Sequence, residues 1–323
     1  MKKIVLPTKP CSARLSASPL CPQPSRRTLL ASGLALPALL SSGLWRGSAA
    51  LARAKDPRAF NARVIQSGHS LTDPIVPELD QIVRAAGGTE TLGMKMDRST
   101  IPGSPMEFRW NERNTYLPDA RTDIADYDVL VITERVPLSN TLPWHASEEY
   151  GLKFFANAWT KGNGGRGAET ILYASWVPVD SGPGADNPYN DPEAFTPFRE
   201  RMDLEMVRWE QIQASVNANR PKGSPAMPMI PGPLVMAAIH DALRTSGVPG
   251  LKRMEDLFED TIHVNAAGAF IIALAHYAVI YRRDPRELPA QVGRGRLRSP
   301  ESLNWMKAMV WDVVSAYPGS GLA

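Results

Sequence analysis

Two short segments near opposite ends of the chain carry the side chains that acyl transfer needs: a hydroxyl, an imidazole and a carboxylate. The first is Gly68-His69-Ser70-Leu71-Thr72-Asp73, and the second is Asp260-Thr261-Ile262-His263-Val264-Asn265. A serine where a strand ends can project its hydroxyl over the sheet edge, and a helix that follows turns backbone N–H groups toward an incoming anion. An ordinary Ser-containing strand–helix turn would read the same way. In the second segment the carboxylate stands three residues before the imidazole and can reach its Nδ1–H. That contact fixes the tautomer and leaves Nε2 free as a general base. Asp260 as a helix N-cap beside an unrelated histidine is the competing reading. His69 adjoins the serine, as a substrate contact or as strand-end packing. His145 follows Pro143-Trp144, where it caps a helix or lines a cleft, and His240 and His276 fall inside apolar helical segments.

These segments need elements to hold them. Ala62-Arg63-Val64-Ile65-Gln66-Ser67 ends at Gly68 and reads as a buried strand. Asp128-Val129-Leu130-Val131-Ile132-Thr133 has the unbroken β-branched character of a central parallel strand, and Thr170 to Trp176 is another strand. A short strand is expected over Ala226 to Ile230. Helical spacing covers Pro77 to Ala86 (stopped by Gly87-Gly88), Ser147 to Trp159 (closed by Lys161 to Gly165) and Phe198 to Ala218. It recurs over Leu234 to Arg244, Val264 to Tyr281 and Pro300 to Tyr317. The turn-rich stretch from Pro178 to Pro197 is long enough to be a binding surface or a lid. Strands alternating with helices predict a parallel sheet with helices on both faces, and ligand sites in such sheets lie at the carboxyl ends of the strands.

Composition narrows the options. The 323 residues are 43% hydrophobic and 21% charged, as in a globular protein. All eight bases of residues 1–54 lie in a segment without acids, so the remaining 28 bases and 33 acids leave a net charge of −5. A mildly acidic body argues against nucleic acid as a partner. Cys11 and Cys21 both belong to the leader, which excludes a cysteine nucleophile or Cys-ligated metal from the rest. Within the leader, Ser25-Arg26-Arg27-Thr28-Leu29-Leu30 resembles a twin-arginine export motif, followed by an uncharged run to Trp45 and the small-x-small sequence Ala52-Arg53-Ala54. Ser, Gly and Pro within that run argue against a membrane anchor. The expected division is a signal peptide over 1–54, a hydrolase-like domain over 55–283 and a helical extension over 284–323. The expected location is the bacterial periplasm or outside the cell, with the twin-arginine machinery as an export partner.

Gly-x-Ser-Leu-x-Asp near the start and Asp-x-x-His near the end together resemble the GDSL/SGNH hydrolase superfamily. The resemblance implies a three-layer α/β/α sandwich around a central parallel sheet of about five strands, in the flavodoxin-like arrangement. It maps the nucleophile onto Ser70 and the acid and base onto Asp260 and His263. It also maps the oxyanion amides onto Ser70 and Gly103, the latter in Thr100-Ile101-Pro102-Gly103-Ser104 after the expected second strand. No metal or organic cofactor is implied. The chain departs from the pattern in two places. His69 replaces the block-one aspartate, and Glu134, in Thr133-Glu134-Arg135-Val136-Pro137, stands where the family's oxyanion asparagine is expected. An ionised carboxylate cannot donate to an oxyanion. Divergent members carry Gln or Glu there, and this chain resembles that branch; alternatively, Glu134 pairs with a base and shapes the cleft.

The function implied is an exported serine esterase that removes O-acetyl or other short acyl groups, with a small-molecule or carbohydrate ester as substrate. The alternative is a non-catalytic carbohydrate-binding or envelope-assembly protein on the same scaffold, its oxyanion hole spoiled by Glu134. Trp110, Trp144, Trp159, Trp176 and Trp209 are candidate sugar platforms, with Trp176 favoured for the cleft because it closes a strand before the long loop. Met227-Pro228-Met229 reads as core.

Overall fold

Val129-Leu130-Val131-Ile132 is buried throughout, and this strand lies at the centre of the sheet. The computed structural model describes residues 56–290 and 292–322. The expected export motif, its cleavage site and both cysteines lie outside the described residues.

Among the described residues, five strands pair in parallel: β1 (Arg63–Gly68), β2 (Lys95–Thr100), β3 (Val129–Ile132), β4 (Glu169–Ala174) and β5 (Met229–Pro231). Their order is β2-β1-β3-β4-β5, so the chain reverses its direction of travel across the sheet between β1 and β3. Seven α-helices among the described residues connect and flank them: α1 (Ile75–Ala85), α2 (Met106–Asn111), α3 (Ser147–Gly165), α4 (Phe198–Asn219), α5 (Gly232–Thr245), α6 (Ala266–Tyr281) and α7 (Pro300–Ala316). This is the expected three-layer α/β/α sandwich.

The period-2 alternation of the strands feeds two cores. Val64, Val129, Val131, Ile171 and Tyr173 pack with α1, α5, α6 and α7 on one side. Ile65, Leu130, Ile132, Leu172 and Ala174 pack with α2, α3 and the C-terminal half of α4 on the other. Helix α6 is buried at every position from Ala267 to Tyr281, because it lies against α1 and α7 as well as the sheet. An all-round apolar helix has that fate in a globular core. No described helix is long and apolar enough to cross a membrane.

Several boundaries differ from the sequence expectation for local reasons. Pro77 falls within the first turn of α1, where its missing N–H costs no helical hydrogen bond. The backbone leaves helical geometry at Gly162, Asn163 and Gly164, the turn-rich end foreseen for α3. Lys95, Asp97 and Arg98 make β2 a charged edge strand, as edges that resist pairing with other chains are. Met227 and Met229 are core residues. In the basic stretch beginning at Arg282, three arginines form ion pairs: Arg282 with Glu169, Arg286 with Asp284 at 2.6 Å and Arg294 with Glu78 at 3.2 Å.

Candidate active site

Strand β1 delivers Ser70 to the carboxyl edge of the sheet, beside β3, at the point where strand order reverses. Crevices in open α/β sheets form at such points. Gly68 ends the strand where no side chain fits: a Cβ would stand 2.0 Å from Thr72 Oγ1 and 3.2 Å from Thr133 Cγ2. The turn after it is closed by Thr72 N–H donating to His69 O (2.8 Å) and Ile75 N–H donating to Thr72 O (3.0 Å).

The partner segment is held just before α6. Asn265, and not Asp260, caps that helix, its side chain accepting from the Ala267 and Gly268 amides at 2.9 and 3.2 Å. Asp260 is thereby left to its own turn. Its Oδ1 accepts from the Ile262 and His263 amides at 2.8 and 2.7 Å, and its Oδ2 meets His263 Nδ1 at 2.7 Å. His263 Nε2 lies 2.9 Å from Ser70 Oγ, 193 residues away in sequence. With Nδ1–H donating to the carboxylate, Nε2 is the free acceptor that faces the Ser70 hydroxyl. Partial burial raises the Asp260 carboxyl, but hydrogen bonds from the His263 and Ile262 amides and the His263 ring outweigh it and hold the group below the ordinary range.

Gly103 lines the same cleft as Ser70 and His263. Its φ of +66° favours glycine, and nothing lies within 4 Å of where a Cβ would stand. Among the described residues, none accepts a hydrogen bond from the Ser70 or Gly103 amide. The Gly103 turn is fixed from below by Arg109, a buried residue of α2. Its guanidinium donates to Ser104 O, Ser104 Oγ (3.1 Å), Ser67 Oγ (3.2 Å) and Thr133 O, joining the turn to the ends of β1 and β3. Burial lowers the Arg109 pKa to about 10, against the opposing charge of Glu134.

Two expected cleft residues lie elsewhere. Glu134 is fully buried beneath the site, its Oε1 accepting from the Met106 amide (2.8 Å) and the Arg135 amide (2.7 Å). It does not line the cleft, because its carboxylate ties α2 to the end of β3. Trp176 is also fully buried, and its indole N–H donates to Ile262 O at 2.8 Å. It buttresses the Asp260–His263 turn from behind, since the chain leaves the sheet at Ala174 and turns the ring into the core. His69 does border the cleft, but it is 3% exposed, with Nε2 donating to Glu134 O at 3.0 Å. Burial, reinforced by the Arg109 charge, pushes it down to about 3, so it is neutral at physiological pH.

The remaining histidines are engaged away from Ser70: His145 with Glu107 (2.9 Å), His240 with Asp241 (3.1 Å), and His276 against the Tyr173 ring. The cleft holds about 460 Å³, and its outer wall is Arg135, Asn140, Thr141, Trp144 and Tyr189. Tyr189 comes from the long loop, which is anchored rather than loose. Asp191 accepts from Ser139 Oγ (2.6 Å) and pairs with buried Arg201 (2.5 Å), while Glu205 accepts from the Leu138 amide (2.9 Å). Arg109, Arg135 and Tyr189 carried no signal in the sequence, being a lone Arg in an unforeseen helix, a strand-end base and a loop aromatic. Trp144 did carry one, as an aromatic after proline among polar residues.

The arrangement can pass a proton from a hydroxyl to an imidazole backed by a carboxylate, beside two amides that no described residue engages. No family model matches the chain, and neither does any curated protein sequence. Among solved structures, the chain is similar to a DUF4886 family protein from Bacteroides uniformis ATCC 8492, with 12% identity and a TM-score of 0.55 over 80% of this chain and 96% of that one. It is also similar to an acetyl xylan esterase, AlAXEase, with 13% identity and a TM-score of 0.40 over 68% of this chain and 99% of that one. The first likeness is one of fold, and the second is too loose to argue from.

Proposed function

We propose that this chain is an exported serine ester hydrolase of SGNH type that removes O-acetyl or other short acyl groups from carbohydrate. The observation that carries the reading is the unbroken hydrogen-bonded series from Ser70 Oγ through His263 to Asp260. His263 Nε2 takes the hydroxyl proton as Ser70 Oγ attacks the ester carbonyl, and Asp260 stabilises the imidazolium that forms. The Ser70 and Gly103 amides bind the oxyanion of the tetrahedral intermediate. His263 returns the proton to the departing sugar hydroxyl, leaving an acyl-Ser70. A water molecule then gives its proton to His263 and its oxygen to the acyl carbon, releasing the acid and restoring Ser70. Glu134, engaged by two backbone amides, neither contributes to this hole nor blocks it. Two amides without a side-chain donor imply slow turnover, because one oxyanion donor is worth roughly 10²–10³ in rate.

Export through the twin-arginine route is part of the proposal and rests on Ser25 to Leu30. The test of the chemistry is a fluorophosphonate probe with p-nitrophenyl acetate hydrolysis. Labelling and hydrolysis in the native protein, both lost in Ser70→Ala, are the expected results. A folded native protein silent to both reagents would overturn the enzyme and favour a binding role for the scaffold.

A further inference from the structure

Among the described residues, Arg135 is the only Lys or Arg lining the cleft that contains Ser70 and His263. Its backbone N–H is taken by Glu134 Oε1, and its Nε donates to Thr141 Oγ1 at 3.3 Å. That tether holds the guanidinium against the wall. Among the described residues, its two terminal nitrogens meet no carboxylate within ion-pair distance. The acids around the cleft are already engaged. Glu134 serves two amides, Asp191 pairs with Arg201, Glu205 holds the Leu138 amide and Asp260 holds His263. Other partly buried arginines are paired, such as Arg58 and Arg282 with Glu169 and Arg208 with Glu193. An oriented guanidinium left without a counter-ion inside a concavity is suited to an incoming carboxylate, which it can grip with two parallel hydrogen bonds.

Two large rings stand exposed on the same cleft, Trp144 at 75% and Tyr189 at 80%. They are not loose ornaments of the surface, because Asn140 Nδ2 donates to Tyr189 O at 3.0 Å and ties the two segments together. A flat apolar ring face beside a cation matches a ring-bearing ligand that carries a negative charge.

We infer that the cleft takes esters of an acidic saccharide: the sugar's carboxylate pairs with Arg135, and Trp144 and Tyr189 cover the faces of its rings. This inference rests on the hydrolase reading and narrows it to one substrate class. Arg135 acts on specificity, and its effect falls on binding of the sugar, not on the acyl group.

The test measures acetate release by the protein, freed of its leader, from O-acetylated oligogalacturonides and from neutral O-acetylated xylo-oligosaccharides. A p-nitrophenyl hemisuccinate serves as the arm with the charge on the acyl side. The expected result is a preference for the uronide of tenfold or more, on the scale of one charged hydrogen-bonded contact, about 10- to 100-fold. Arg135→Gln should erase most of that ratio through KM, and Arg135→Lys should restore part of it. In the native protein, added salt should raise KM for the uronide and not for the neutral sugar. Equal rates on the two sugars, a ratio unmoved by Arg135→Gln, or a stronger preference for the hemisuccinate would each overturn the inference. If the probe leaves Ser70 unlabelled, the hydrolase reading fails separately. Calorimetry with de-esterified oligogalacturonide then decides this one: binding weakened tenfold or more by Arg135→Gln supports it, and no binding overturns it.

Discussion

Replacing Asp260 by Asn examines the proposed proton path at its most specific point. Asp260 Oδ1 accepts from two backbone amides at 2.8 and 2.7 Å, while Oδ2 alone faces His263 Nδ1. In Asp260→Asn the side-chain oxygen must stay on the two amides, since an NH₂ there would confront two donors. The NH₂ is therefore aimed at Nδ1, which can only accept if the imidazole moves its proton to Nε2. Nε2–H then faces the Ser70 hydroxyl and cannot take its proton. In a buried triad the same change costs about 10⁴ in turnover. Here the side chains are more open, His263 at 41% and Asp260 at 55% exposed, so water competes for Nδ1. We expect kcat for p-nitrophenyl acetate to fall by roughly 10²–10³, with the rate of fluorophosphonate labelling falling in parallel. The turn should survive, because both amide bonds do, and thermal unfolding should be nearly unchanged. Turnover within about fivefold of native, equivalent to only ~1 kcal/mol of barrier, would refute the assigned path.

Two further outcomes follow from packing and burial. Gly68→Ala places a methyl 2.0 Å from Thr72 Oγ1, and we expect a loss of about 1–3 kcal/mol in denaturant unfolding together with slowed labelling of Ser70. Unchanged stability and labelling would show that the strand-end turn is not close-packed. Acidification should destabilise the fold through His69 and His276, which burial pushes from an ordinary 6.5 down to about 3 and about 4. Below pH 6.5 the unfolded chain takes up protons that these buried rings refuse, so stability is lost as pH falls from 6.5 toward 3. Glu205, pushed by burial up to about 7 from 4.5, works in the opposite sense between those values and offsets one of the two. The urea midpoint should therefore drop from pH 7 to pH 4, and drop less in His276→Leu at matched reference stability; a flat profile would contradict the burial argument.

The sandwich was legible because its central strands are apolar on both faces and its helices carry clear stops. Val129 to Ile132 can be little else than a central strand, and Gly87-Gly88 ends α1 by its own chemistry. The elements with the faintest sequence signal are short or charged, and the second strand is expected before Thr100 without bounds that its residues could supply. Strand β2 reads Lys-Met-Asp-Arg-Ser-Thr because an edge strand needs no second apolar face, and six-residue α2 is too brief for its period to register. Trp176 and Glu134 were misplaced relative to the cleft for one reason. Position at a strand's carboxyl end does not say whether a side chain turns up into solvent or down between sheet and helix.

By itself the sequence determined what is local. Asp260 and His263 stand three residues apart, and a single turn suffices to join their side chains. Gly103 answers to a left-handed backbone, at φ +66°, that glycine favours by its own chemistry, whereas Gly68 is required by close packing against Thr72 and Thr133. The tertiary structure decided everything that depends on distance across the chain: that Ser70 meets His263 over 193 residues, that Arg109 braces the Gly103 turn, and that Arg135 is left without an acid. Hydrogen bonds and ion pairs act over a few ångströms, so only the packing of the sheet against its helices can specify which distant groups fall within their reach.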